Sequence, residues 1–394
     1  MKRFILYLLL LIGVSFVLTA PVPDSLKLKN PIPGAYNIKS IRRYLEGKSV
    51  AIVANQTSMI EKTHIVDSLL SLDIDLKVIF APEHGFRNLA DAGESISDGK
   101  DTLTDLPIIS LYGKHVKPTA EDLSGIDVVV FDIQDVGARF YTYISTLHYL
   151  LEACAENNVS CIVLDRPNPN GYYVDGNVLD TVYKSFVGLD PIPVVHGMTV
   201  GEYALMLNGE GWLKNGVKCD LEVVKCRNYL HSSYYNLPVK PSPNLPNQTS
   251  VYLYPSLCFF EGTNISVGRG TSFPFQVFGS PRLPDRGFSF VPESTDGAKN
   301  PPFLGERCFG TDLRNALSDE IVLSPGINLE WVINAYNDYP DKQNFFTSYF
   351  DVLAGGPEMR EQIIKGLNEE QIRQSWQDEL DAFKKIRSKY LLYK

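Results

Sequence analysis

IDVVVFDI, residues 126–133, is almost unbroken in its apolar character, with aspartate only at 127 and 132. A run this rich in β-branched and aromatic residues predicts a strand buried on both faces. Working outward, SVAIVA (49–54), LKVIF (76–80), PIISL (107–111) and CIVL (161–164) read the same way. Helical spacing separates them at 64–72 and 141–157, and a short helix is expected from Pro118. Buried strands alternating with helices imply right-handed βαβ units and an open parallel sheet with helices on both faces. In such sheets ligands lie beyond the carboxyl ends of the strands.

Those ends carry polar residues. Ala81-Pro82-Glu83-His84-Gly85-Phe86-Arg87 follows one strand, Gln134-Asp135-Val136-Gly137-Ala138-Arg139 the next, and Asp165-Arg166-Pro167-Asn168-Pro169 a third. Each alone reads better as a helix cap or a surface ion pair; together they point to a site on one rim. Beyond them, Thr199 and Glu202 have capping-box spacing, which accounts for Glu202 without catalysis. Residues 218–224 alternate like a strand, and the proline-rich 237–246 (LPVKPSPNLP) reads as a crossover or linker. The tail predicts helices near 328–337 and 357–390.

A chain of 394 residues is long enough for two cores, so domains are expected at 24–250 and 251–394. Residues 1–20 read as an export signal: Lys2 and Arg3, an apolar run from 4 to 18, then Thr19-Ala20. An uncleaved membrane anchor is the alternative, and no second long apolar run follows. With 37 Lys and Arg against 46 Asp and Glu, the net charge of −9 gives no footprint for nucleic acid. No GxxxxGK[ST] or GxGxxG loop is present, which disfavours ATP and NAD enzymes. No GxSxG elbow supports an α/β-hydrolase, and no CxxC or HExxH supports zinc. No cofactor or metal is expected. An even number of cysteines, six, permits disulfides in an exported chain, but most of the six read as buried free thiols.

What remains is a set of carboxylates in turn-rich, partly apolar settings: Glu83, Asp132, Asp135, Asp165 and Glu261. Glycoside hydrolysis uses such groups as acid and as base or nucleophile. Glu83, flanked by Phe80-Ala81-Pro82 and His84-Gly85-Phe86, suits the acid, although a loop-capping role fits the spacing equally well.

The chain resembles the exo-β-N-acetylmuramidase family of bacterial envelope glycosidases. The likeness is carried by PEHGFR (82–87), FDIQDVGARFYTY (131–143), LDRPNPN (164–170), HGMTVGE (196–202), PSPNLP (241–246) and EGTNISVGRGT (261–271). It implies a Rossmann-like N-terminal domain, a smaller α+β auxiliary domain and a site in the cleft between them. It also implies removal of terminal N-acetylmuramic acid from the non-reducing end of peptidoglycan fragments. The family's catalytic glutamate maps onto Glu83.

On that reading Glu83 protonates the glycosidic oxygen. Asp132, Asp135, Glu261 or the sugar's own acetamido oxygen supports the oxocarbenium-like centre. His84 tunes Glu83, binds a hydroxyl or is structural. The lactyl carboxylate calls for an arginine fork, Arg269 first and Arg139 second. Asn264, Asn168 and Asp165 are candidates for binding the sugar. Expected partners are muropeptides or disaccharides, with the membrane met only through the N-terminal segment; the expected location is outside the cytoplasm, the periplasm first, with a secreted or membrane-anchored protein as alternatives. The rival readings are a non-catalytic envelope-glycan binder and a metal-assisted phosphoryl hydrolase.

Overall fold

The computed structural model describes residues 30–86, 98–315 and 326–394. The expected export signal and Arg87 lie outside the described residues. Seven strands form the main sheet: β1 (Ser49–Ala54), β2 (Asp75–Ala81), β3 (Gly99–Lys100), β4 (Pro107–Ser110), β5 (Val128–Asp132), β6 (Ser160–Leu164) and β7 (Leu221–Val224). Their order is β7-β6-β5-β1-β2-β4-β3. All pairings are parallel except that of the edge strand β3 with β4.

Strand β1 shows why the apolar runs are unbroken. Val50, Ile52 and Ala54 pack with Ile41 and Leu45 of α1 (Ile38–Leu45) and Ile65 and Leu69 of α2 (Ile65–Leu70). Ala51 and Val53 point to the other face, where α3 (Tyr143–Glu156) and α4 (Val200–Glu210) supply Leu147, Leu151, Ala204 and Leu207. Both faces are covered, as expected. The chain runs from β1 to β2 and β4 on one side, then crosses back to β5 on the other. That reversal opens a crevice beyond Ala54 and Asp132.

Two helices differ from expectation. The crossover from β4 to β5 makes hydrogen-bonded turns and no helix after Pro118. Thr119 and Asp122 exchange capping bonds (Thr119 N to Asp122 Oδ2, 2.7 Å; Asp122 N to Thr119 Oγ1, 3.2 Å), but Gly125 at φ +73° turns the chain. The tail helix is divided into α8 (Glu358–Ile364), α9 (Glu369–Ser375) and α10 (Gln377–Arg387). The break falls at Gly366 (φ +80°) and at Asn368, which caps α9 by accepting from Gln371 N.

The smaller C-terminal part has an antiparallel sheet ordered β8-β10-β9, from β8 (Val277–Ser280), β9 (Ser289–Phe290) and β10 (Cys308–Asp312). It also carries α6 (Glu330–Asp338) and α7 (Tyr349–Ala354). The expected division between residues 250 and 251 falls inside α5 (Gln248–Leu257). Val251 and Leu257 of α5 share one apolar cluster with α3 and α4, and it continues through Phe345 and Phe350 to Leu380 and Phe383 of α10. The large core therefore spans both parts, and among the described residues Val277, Phe290 and Cys308 form a small separate core. Polar ties follow the same line: Arg373 Nη1 meets Asp175 Oδ2 at 2.6 Å, and the Tyr393 hydroxyl donates to Asp165 Oδ2 at 2.6 Å.

Candidate active site

A cavity of about 750 Å³ opens beyond the carboxyl ends of β2, β4 and β5 and is closed on the far side by the C-terminal part. Glu83, His84, Glu261 and Arg269 line it. Glu83 occupies a tight turn after β2, closed by Gly85 N to Pro82 O at 3.0 Å. The turn requires His84 at φ +70° and Gly85 at φ +79°, the left-handed region that a non-glycine residue occupies at a cost. Thr142, just before α3, donates through Oγ1 to Glu83 Oε2 at 2.6 Å. The Tyr112 phenol shares this lining with Glu83; burial, then the Glu83 charge, push it well above the usual range.

Across the cavity, Arg269 Nε donates to Glu261 Oε1 at 2.6 Å, and the guanidinium lies 5.1 Å over the Phe275 ring. Burial opposes the guanidinium's charge, but the charge and bond of Glu261 more than reverse this and hold it cationic. Among the described residues nothing hydrogen-bonds Nη1 or Nη2 of Arg269. The pair thus presents a carboxylate and a guanidinium edge to the same space. Tyr112, Tyr141, Tyr143, Tyr254 and Tyr349 complete an aromatic lining, with Asn244 and Lys299 as further polar groups.

The other sequence-predicted residues stand away from this lining. Asp132 is fully buried in a two-pronged pair with Arg166 (Nε to Oδ1 2.6 Å, Nη2 to Oδ2 2.9 Å). Its charge is thereby spent within the scaffold. Asp165 is fully buried too, accepting from Thr199 Oγ1 (2.8 Å), Gly201 N (2.8 Å) and Tyr393 OH. Burial raises its carboxyl to about 7, against the pull of the Tyr393, Gly201 and Thr199 bonds. Asn168 donates to Met198 O and accepts from Asn170 N, both at 2.8 Å. It presses on Gly137, where a Cβ would lie 2.3 Å from Asn168 Oδ1.

Arg139 is 1% exposed and donates to four carbonyls, of Asn177, Ile192, Leu353 and Ala354, at 2.8–3.0 Å. It ties the two parts together and presents no fork to the cavity. Asn264 donates to the Asn344 carbonyl. Asp135 is buried behind the lining, its carboxyl raised to about 7 by burial against the N–H bonds of Gly137 and Val136. Much of the quoted motif set is therefore a polar lattice that holds the strand ends together.

Four lining residues stand out as having escaped the sequence reading. Tyr112 directly follows the run at 107–111, so the strand-end argument applied to Glu83 reaches it as well. Thr142 sits within the quoted FYTY. Tyr349 and Lys299 lie in segments without a motif, and only the folded chain brings them in.

Comparison with known proteins adds three findings. Family models described as the exo-β-N-acetylmuramidase NamZ, N-terminal and C-terminal, match residues 50–249 and 252–393. The peptidoglycan β-N-acetylmuramidase NamZ of Bacillus subtilis (strain 168) is 39% identical over 381 residues, covering 89% of this chain and 88% of the relative. Two crystal structures of DUF1343 family proteins from Bacteroides fragilis NCTC 9343 superpose with TM-scores of 0.85 and 0.77 at 43% and 32% identity. Each match covers 93% of this chain and 99% of the other.

Proposed function

The chain belongs to the exo-β-N-acetylmuramidase family, and from that premise we propose that it hydrolyses peptidoglycan fragments by removing N-acetylmuramic acid from their non-reducing ends. The observation that carries this is one cavity holding two carboxylates, Glu83 and Glu261, and a guanidinium, Arg269.

Glu83 gives its proton to the glycosidic oxygen. The Thr142 hydroxyl both donates and accepts, so its contact with Oε2 serves the acid before transfer and the carboxylate after it. Glu261, or the acetamido oxygen of the muramic acid itself, supports the oxocarbenium-like centre. Arg269 keeps Glu261 through Nε and takes the lactyl carboxylate through its terminal nitrogens. His84, held next to Glu83 by its left-handed backbone, orients the turn. Peptidoglycan lies outside the cytoplasmic membrane, so the same reading makes residues 1–20 the export segment and puts the protein in the periplasm.

Turnover of a defined muramic acid–glucosamine disaccharide tests the assignment. Glu83→Gln should lower kcat by about 10²–10⁴-fold, the usual contribution of a general acid, while binding of free muramic acid persists. EDTA should leave the wild type unaffected. Near-normal turnover by the variant would move the acid elsewhere, and EDTA sensitivity would favour a metal-assisted hydrolase.

A further inference from the structure

Phe186 lies on a loop between the antiparallel strands Asp175–Val178 and Pro193–Val195. Mutual backbone bonds between Ser185 and Gly188, 2.9 and 3.0 Å, close the loop around it. Its ring meets Tyr112 edge-on at 5.9 Å and stacks on Tyr149 at 6.4 Å with the planes 7° apart. All three rings are half-buried. Among the described residues they belong to none of the hydrophobic cores, unlike Tyr141, Tyr143 and Tyr254 of the same cavity. The trio packs on itself rather than on those cores, and Phe186 and Tyr112 line the cavity.

The lining also separates into two groups. One is charged: Arg269 and Glu261, with Cys258 and Phe275 beside them. The other is aromatic: Tyr112 and Phe186. Glu83 shares the lining with this second group, and its charge reaches the Tyr112 phenol. Tyr349 lines the same space, its phenol pushed up by burial and then by neighbouring charges that include those of Glu261 and Glu83.

We infer that the Tyr112–Phe186 end receives the leaving sugar, a neutral N-acetylglucosamine ring, and that Phe186 determines this specificity. The inference rests on the muramidase reading above. A general acid must stand at the glycosidic oxygen, between the two sugars. With the anionic muramic acid at Arg269, the leaving ring falls on the Tyr112 side of Glu83. The chemistry of the two ends matches the two sugars. A carboxylate needs the guanidinium, whereas a neutral pyranose offers a C–H face to a flat ring and hydroxyls to a phenol.

Steady-state kinetics on the muramic acid–glucosamine disaccharide test it. Phe186→Ala should raise KM about tenfold with kcat within about twofold, the effect of losing one aromatic contact. Product inhibition by free N-acetylglucosamine should weaken in parallel while inhibition by free N-acetylmuramic acid stays unchanged, and Phe186→Trp should restore both. An unchanged KM, or equal weakening of both inhibitors, overturns the subsite with the muramidase reading intact. A wild type that cleaves no disaccharide removes that reading and the subsite with it.

Discussion

At the residue scale, Arg139 and Arg269 show what a sequence conveys and what it withholds. Arg139 comes after Gly137-Ala138 and Arg269 after Gly268, both in polar loops, and both suit a carboxylate. Spacing carries no information on side-chain direction. Arg139 turns inward to four carbonyls, which it can satisfy because a guanidinium has five donors. Arg269 pairs with Glu261 and keeps its terminal nitrogens towards the cavity. Asp132, Asp165 and Asn168 followed the logic of Arg139, because strand ends buried under a second part need polar partners of their own. Arg269→Ala should weaken binding of muramic acid by about 10–100-fold, the worth of hydrogen bonds to a charged group. N-acetylglucosamine, lacking the lactyl group, should lose far less. Inhibition constants for the two sugars check this, and equal losses would remove the lactyl role from Arg269.

At the element scale, the strands were legible because burial on both faces leaves an apolar run that nothing else in the chain imitates. Residues 49–54 match β1 at both ends, and 161–164 misses β6 by one residue. The helix expected from Pro118 was not, since a capping pair needs a following run to cap. Helix α3 carries a feature outside the sequence reading. His148 lies between Asp190 Oδ2 (2.9 Å) and Glu152 Oε1 (3.1 Å), with Lys117 Nζ 2.9 Å from Glu152 Oε2. Burial lowers the imidazole's affinity for a proton, but the bonds and charges of Asp190 and Glu152 outweigh it and raise the pKa to about 9. A folded value above the unfolded one means stability present below about 6.5 and lost as the pH climbs through about 9. The loss is of the order of 3 kcal/mol. Thermal melts of the wild type across this window should fall more steeply than those of His148→Gln; parallel curves would refute the role of His148.

At the scale of the whole molecule, the length suggested two cores, whereas the folded chain carries its largest core across both parts. The sequence could not reveal this, because the rings that join the parts, Phe345 and Phe350 among them, look like any other core residues. The 21 tyrosines, without a use in composition alone, acquire one in part: five line the cavity. The net charge of −9 is met locally, with Arg269 and Lys299 set against Glu83 and Glu261 in the lining.

The central claim is the removal of a terminal muramic acid, and product analysis by mass spectrometry tests it most directly. Two peptidoglycan tetrasaccharides serve as substrates, one ending in N-acetylmuramic acid and one in N-acetylglucosamine at the non-reducing end. The account predicts free N-acetylmuramic acid from the first and no cleavage of the second. Release of disaccharides, or equal attack on both, would contradict it.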